Sequence, residues 1–130
     1  CFTDGSALGN PGPCGAAVVS YTDGLEHQPI SNAEAVSKLS SSYHGEIRAL
    51  WRASDILLQL SHNRNFSNAH ILCDCISAIH SVASSEIHKS HQKEIDSFRL
   101  NIFKLKEKGT NVTCHWIPEM EERRVGKECR

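Results

Sequence analysis

A chain of 130 residues, 39% apolar and 22% charged, has room for one ordinary hydrophobic core, so a single domain is expected. Its formal net charge of −1 excludes a uniformly basic, nucleic-acid-coating protein, and any polyanion has to be met by a local patch. No apolar run is long enough to cross a membrane as a helix, and no signal-peptide pattern is visible. The six cysteines therefore read as reduced thiols, and the expected setting is intracellular, nuclear or cytoplasmic. The first residue is Cys1 and the only methionine is Met120, so the chain reads as a fragment cut from a longer polypeptide.

The chain opens CFTDGSALGNPGPCGAA. Its first residues read as a short apolar strand that ends on Asp4, because four glycines and two prolines follow within residues 5–15. GAAVVSY (15–21) has strand length, TDG (22–24) is a turn, and residues 25–36 return as a looser, more polar strand. A serine-rich connector, residues 37–42, leads to YHGEIRALWRASDILLQL, where Glu46, Leu50, Ala53, Leu57 and Leu60 share one helical face. Ser41 or Ser42 is placed to cap that helix. Glu46 stands out, since a carboxylate on an apolar stripe is costly without a partner.

HNRNFSN (62–68) is a loop, and AHILC (69–73) reads as a buried strand with Asp74 at its end. CISAIHSV suits a short helix. A longer helix over residues 90–107 carries Ile95, Phe98, Ile102 and Leu105 on one stripe and stops at Gly109. NVTCHWI is the last strand. The order β-β-β-α-β-α-α-β predicts an α/β fold, a mixed sheet flanked by helices.

If the first and fourth strands are parallel neighbours, Asp4 and Asp74 emerge side by side at the sheet edge where open α/β folds bind ligands. Glu46 faces them from the helix between. Three converging carboxylates repel one another, and hard divalent cations such as Mg²⁺ relieve that conflict. Two such ions can activate water and steady a leaving oxygen in phosphodiester cleavage.

At these residues the chain resembles the ribonuclease H family. FTDGS with GNPGPCGAA is similar to its first strand and turn, YHGEIRAL to its glutamate-bearing helix, HILCDCISAI to the strand with the next aspartate, and NVTCHWIP to the last strand. The most similar variant is the domain fused to reverse transcriptases of non-LTR retrotransposons. The resemblance implies a five-stranded sheet, three antiparallel strands then two parallel, over residues 1–118. It implies Asp4, Glu46 and Asp74 as catalytic, metal-holding carboxylates for two Mg²⁺ or Mn²⁺ ions. It further implies Gly5, Ser6 and Asn10 as residues facing the substrate, an RNA–DNA hybrid, in a monomeric domain of a longer polyprotein without a membrane partner. Cys75 stands where the family often has a hydroxyl residue.

The likeness stops after Pro118. The family continues with a Gly-His loop and a helix that supplies a fourth carboxylate; Glu119 and Met120 stand at the former and Arg130 at the latter. This implies one ion held well, a second held poorly, and impaired turnover. The tail, residues 119–130, contains EERRVGKECR, which matches an in-frame translation of a common sequencing-library adapter; the other reading is a genuine divergent terminus.

Two other function classes remain. One is the same fold binding hybrid without cleaving it. The other is a phosphotransferase of the actin and sugar-kinase type, which needs a second Asp-Gly phosphate loop; Asp23-Gly24 is the only other Asp-Gly, and it sits in a hairpin. Cys73, Cys75, His70 and His115 offer zinc-type donors, but C-x-C is not the usual spacing. His88 and His91 read as a solvated helix start, and Trp51 and Trp116 as core. Lysines 89, 93, 104, 106 and 108 suit either a phosphate-tracking face or a solvated one.

Overall fold

A computed structural model describes residues 1–7, 12–21, 30–40, 42–84 and 91–118. Its elements are β1 (Phe2–Ala7), β2 (Gly12–Ser20), β3 (Ile30–Ser40), α1 (Ser42–Ser61), β4 (Asn68–Cys73), α2 (Ile76–Ala83), α3 (Gln92–Glu107) and β5 (Asn111–Trp116). They form one five-stranded sheet in the order β3-β2-β1-β4-β5. β1, β2 and β3 pair antiparallel, whereas β1–β4 and β4–β5 pair parallel. This is the mixed sheet expected from the alternation of patterns, and β1 and β4 are the parallel neighbours that the acid placement requires.

Three expectations need correction. Asp4 does not end its strand: β1 continues to Ala7, with Gly5, Ser6 and Ala7 paired to Ala16, Gly15 and Cys14. What ends near Asp4 is the parallel ladder to β4, whose last pair is Thr3 with Cys73. Residues 37–40 are not a connector but the end of β3, because Ser37 pairs with Cys14 and Ser40 with Gly12. Register shifts on either side of Cys14 accommodate Pro13, which has no N–H to give the ladder. Third, Trp116 is not core; it closes the edge strand β5 and is 51% exposed. Trp51 is partly buried against the core, with the guanidinium groups of Arg48 and Arg52 over its ring at 5.0 and 4.6 Å.

The core lies between the sheet and the helices. The apolar stripe of α1 buries Ile47, Leu50, Ala53 and Leu57 against Val18 of β2 and Ile71 and Cys73 of β4. From α3, Ile95, Phe98 and Leu105 complete it, matching three of the four positions expected of that stripe; Ile102 packs at its margin. Arg52 ties α1 to β3, donating from Nε to Glu34 Oε1 at 2.6 Å and from Nη2 to Glu34 Oε2 at 3.3 Å, while its Nη1 donates within α1 to Asp55 Oδ2 at 3.0 Å.

One buried polar contact joins α1 to α3. Asn101 Nδ2 donates to Ser54 Oγ at 3.0 Å and to Asp55 Oδ1 at 2.7 Å, with Asn101 and Ser54 both buried. Replacing Asn101 with Ala removes both donations and leaves a small void between the helices. The expected cost is about 1–3 kcal/mol, read as a lower urea midpoint with an unchanged slope. An unchanged midpoint would show that the contact carries no net stability.

Candidate active site

The site is built where β1 meets the first turns of α1. Gly45 and Glu46 are both buried, and α1 approaches the β1 backbone closely. Gly5 makes that approach possible: a Cβ at this position would stand 2.2 Å from Glu46 N and 2.4 Å from Gly45 C. Only a residue without a side chain fits there. The Gly5 amide then donates to Glu46 Oε1 at 2.9 Å, fixing the carboxylate.

On its other side Glu46 meets the end of β4. Cys73 Sγ donates to Glu46 Oε2 across 3.5 Å, and Glu46, Cys73 and Asp74 each place a ligand-type atom within 4.8 Å of the other two. Asp74 follows Cys73 directly, as Asp4 follows Thr3, so both acids stand one step beyond the last parallel pair. Trp116 Nε1 donates to the Asp74 carbonyl at 3.3 Å, bracing that bend from β5.

The electrostatics follow from this geometry. Glu46 is only 6% exposed. Burial pushes its pKa from 4.5 up to about 7, the Gly5 N–H pulls it back, and the charges of Asp74 and Asp4 raise it further. Burial likewise pushes the Cys73 thiol up to about 12, with the neighbouring Glu46 charge adding to the shift and the Cys75 N–H opposing it. A carboxylate poised near neutrality chiefly by burial, with two other acids beside it, is the donor set a hard divalent cation satisfies.

The structure thus brings Glu46 and Asp74 together and sets Asp4, on the strand paired with β4, close enough for its charge to act on Glu46. Gly5 belongs there too, with a duty sequence reading did not give it: its N–H is committed to Glu46. Ser6 lies in β1 opposite Gly15, and Asn10 lies outside the described residues. The sequence offers Cys73 only as a zinc-type donor; its contact with Glu46, a residue of α1, carries no local sequence signal. Alternation along β4 buries Cys73 and leaves His70 on the exposed face, where His70 Nδ1 and His115 Nε2 pair at 2.9 Å. Of the lysines, 93, 104, 106 and 108 are exposed, and Lys108 Nζ bonds Ser61 Oγ at 3.2 Å. His88, Lys89 and the 119–130 tail lie outside the described residues.

Searched against family models, the chain matches none. Among solved structures, LC11-RNase H1 in complex with an RNA/DNA hybrid superposes with a TM-score of 0.73 at 20% identity, covering 97% of this chain and 89% of that one. The N-terminal RNase H domain of a Mycobacterium tuberculosis protein, solved as a fusion with maltose-binding protein, gives 0.71 at 19%, covering 90% and 84%. At such identities these likenesses establish the fold. In sequence, the chain is 32% identical over 117 residues to ribonuclease H of Helicobacter acinonychis, spanning 89% of this chain and 76% of that protein. The ribonuclease HI of Helicobacter pylori strain J99 matches with the same identity and coverage. That identity, sustained along nearly the whole length on the fold just described, makes this chain a member of the ribonuclease H family.

Proposed function

We propose that the chain is a metal-dependent endonuclease that hydrolyses the RNA strand of RNA–DNA hybrids, with Asp4, Glu46 and Asp74 as its catalytic and metal-holding residues. The observation that carries this is the buried Glu46 carboxylate, locked by Gly5 N–H at 2.9 Å and crowded by two further acids that each stand one residue beyond the last parallel pair of β1 and β4. A phosphodiester anion is repelled by such a cluster, so cleavage there calls for cations. Asp4, Glu46 and Asp74 would hold them, Mg²⁺ or Mn²⁺, two in the reading drawn from the family. When bound, such ions supply an activated water and stabilise the leaving oxygen.

The chain's own residues do the rest. Gly5 and Cys73 hold Glu46 from two sides, so its carboxylate presents one orientation. Trp116 fixes the Asp74 backbone. Ser6 and Asn10 are the remaining positions assigned to the hybrid. Its recognition as RNA rests on the 2′-hydroxyl. The names of the relatives and the hybrid bound to LC11-RNase H1 support the choice of substrate.

The proposal extends to context. The motif likeness supports a domain of residues 1–118 from a non-LTR retrotransposon reverse transcriptase, monomeric within a polyprotein; the reduced reading of its cysteines supports an intracellular setting, and the adapter match supports reading residues 119–130 as a foreign tail.

The test is a hybrid duplex labelled on its RNA strand, titrated with Mg²⁺. Expected is RNA cleavage that vanishes in chelator and in Asp4→Asn. Hybrid binding with no cleavage at any Mg²⁺ concentration would replace the nuclease with a binding module, and cleavage undiminished in Asp4→Asn would remove these acids from the reaction.

A further inference from the structure

Two residues before Glu46, α1 carries a second group of metal-type donors that hybrid cleavage does not use. Positions two apart on a helix point about 200° away from each other, so His44 and Glu46 face different neighbours. Glu46 faces β1; His44 faces the start of α3, where its Nε2 lies 2.9 Å from Glu94 Oε1. The other oxygen, Glu94 Oε2, accepts from Arg48 Nε at 2.9 Å. That contact pins the carboxylate so that Oε1 is the one turned to His44.

His91 completes the group. Its ring stacks on that of His44, centroids 4.1 Å apart and planes 22° from parallel. It does so from an unusual backbone: φ is 64°, and His91 is the one non-glycine residue with positive φ among the described residues. It holds the position preceding α3 but makes no side-chain cap to that helix. Its ring is turned instead onto that of His44. A ring nitrogen of His44, one of His91 and a carboxylate oxygen of Glu94 all lie within 4.8 Å of one another.

We propose that His44, His91 and Glu94 form a binding site for a zinc-class divalent transition-metal ion, distinct from the Asp4–Glu46–Asp74 cluster. Two imidazoles and one carboxylate are a borderline-soft donor set, suited to Zn²⁺, Co²⁺ or Ni²⁺ rather than Mg²⁺, which takes oxygen. At metal–ligand distances of about 2.1 Å, tetrahedral donors stand roughly 3.4 Å apart, so side-chain movements on the order of 1 Å close the site. Burial and the adjacent His44 disfavour a proton on His91, which keeps that ring in the neutral form a metal needs. The Arg48 contact to Glu94 is the kind of outer partner that orients a ligating carboxylate. An ion here would join the first turns of α1, which also carry Glu46, to the head of α3.

The full chain is titrated with Zn²⁺ by calorimetry, and with Co²⁺ by visible absorption, in excess Mg²⁺ to occupy the acidic cluster. The variants are His91→Asn, which tolerates the left-handed backbone while removing the imidazole, and Glu46→Gln, which disables the other cluster. Expected is a single Zn²⁺ site and visible Co²⁺ bands in the unaltered chain. Glu46→Gln keeps both, and His91→Asn weakens Zn²⁺ affinity at least about tenfold, the scale on which lost metal-site partners act. Zn²⁺ also raises Tm in the unaltered chain and not in His91→Asn. Binding that survives His91→Asn, that is lost in Glu46→Gln, or that shows intense sulfur-to-cobalt absorption would overturn the proposal, as would no binding at all.

Discussion

Gly5→Ala is expected to be the most damaging single-methyl change in this protein. The added Cβ meets backbone atoms, Glu46 N at 2.2 Å and Gly45 C at 2.4 Å, which no rotamer change can clear. α1 has to lift from β1, and the Gly5 N–H to Glu46 bond stretches with it. Overpacking typically costs about 1–3 kcal/mol and occasionally more, and a clash with immovable main chain belongs at the upper end, about 3 kcal/mol. That corresponds to a fall in Tm on the order of 10 °C for a domain of this size. Hybrid cleavage measured on the fraction that remains folded should drop by about 100-fold, because a displacement near 1 Å at a catalytic group has that effect. A variant with wild-type Tm would show that the helix does not sit against the strand as described.

Glu46→Gln should do the opposite to stability and still abolish function. In the folded protein the Glu46 pKa is raised from 4.5 to about 7, chiefly by burial. Below pH 4.5 the group is protonated in both folded and unfolded chains and has no effect. Between 4.5 and about 7 the unfolded chain ionises while the folded one resists, so the native state binds more protons and stability falls as pH rises. The penalty is complete above about pH 7 and amounts to at most about 3 kcal/mol. Glutamine, neutral throughout and still able to accept from Gly5 N–H, removes that slope. In chelator at neutral pH the variant should therefore melt higher than the parent, and its Tm should be flatter over that pH window. Its activity should fall about 100- to 1000-fold, the loss typical of one electrostatic group in an active site. A lower Tm in chelator, or activity within a few-fold of the parent, would count against Glu46 as a buried metal-holding carboxylate.

The residues that sequence alone exposes are those whose signal is local. Glu46 could be picked out because the 46-50-53-57 stripe states which face of the helix is inward, and Asp74 because an apolar run stops at it. That the sheet is mixed followed from the alternation of the later elements, whereas three antiparallel strands followed by two parallel ones came only from the likeness to ribonuclease H. What was hidden depends on partners far along the chain. Gly5 looked like turn chemistry, since nothing near it says that a helix forty residues on needs its missing side chain. Residues 37–40 looked like a linker because their pairing partners, Gly12 and Cys14, lie across the sheet. Trp116 looked like core because an aromatic residue in a strand usually is, and its place on an edge strand appears only once the sheet is assembled. The His44–His91–Glu94 group joins two helix starts that no spacing rule connects.

The first strand of the chain is the middle strand of the sheet. During synthesis, β1, β2 and β3 can form a local antiparallel meander as soon as they emerge, but the other side of β1 has no neighbour until β4 is made. Parallel, non-local pairing is the slow step in such topologies. A ribosome-bound or prematurely ended chain that stops before residue 68 would thus carry an unpaired central edge, the kind of surface that recruits other strands. It would also hold Asp4 and Glu46 without Asp74. Solubility and the acidic cluster are consequently acquired at the same moment, when β4 docks, and a partly made copy is both aggregation-prone and without its complete set of acids.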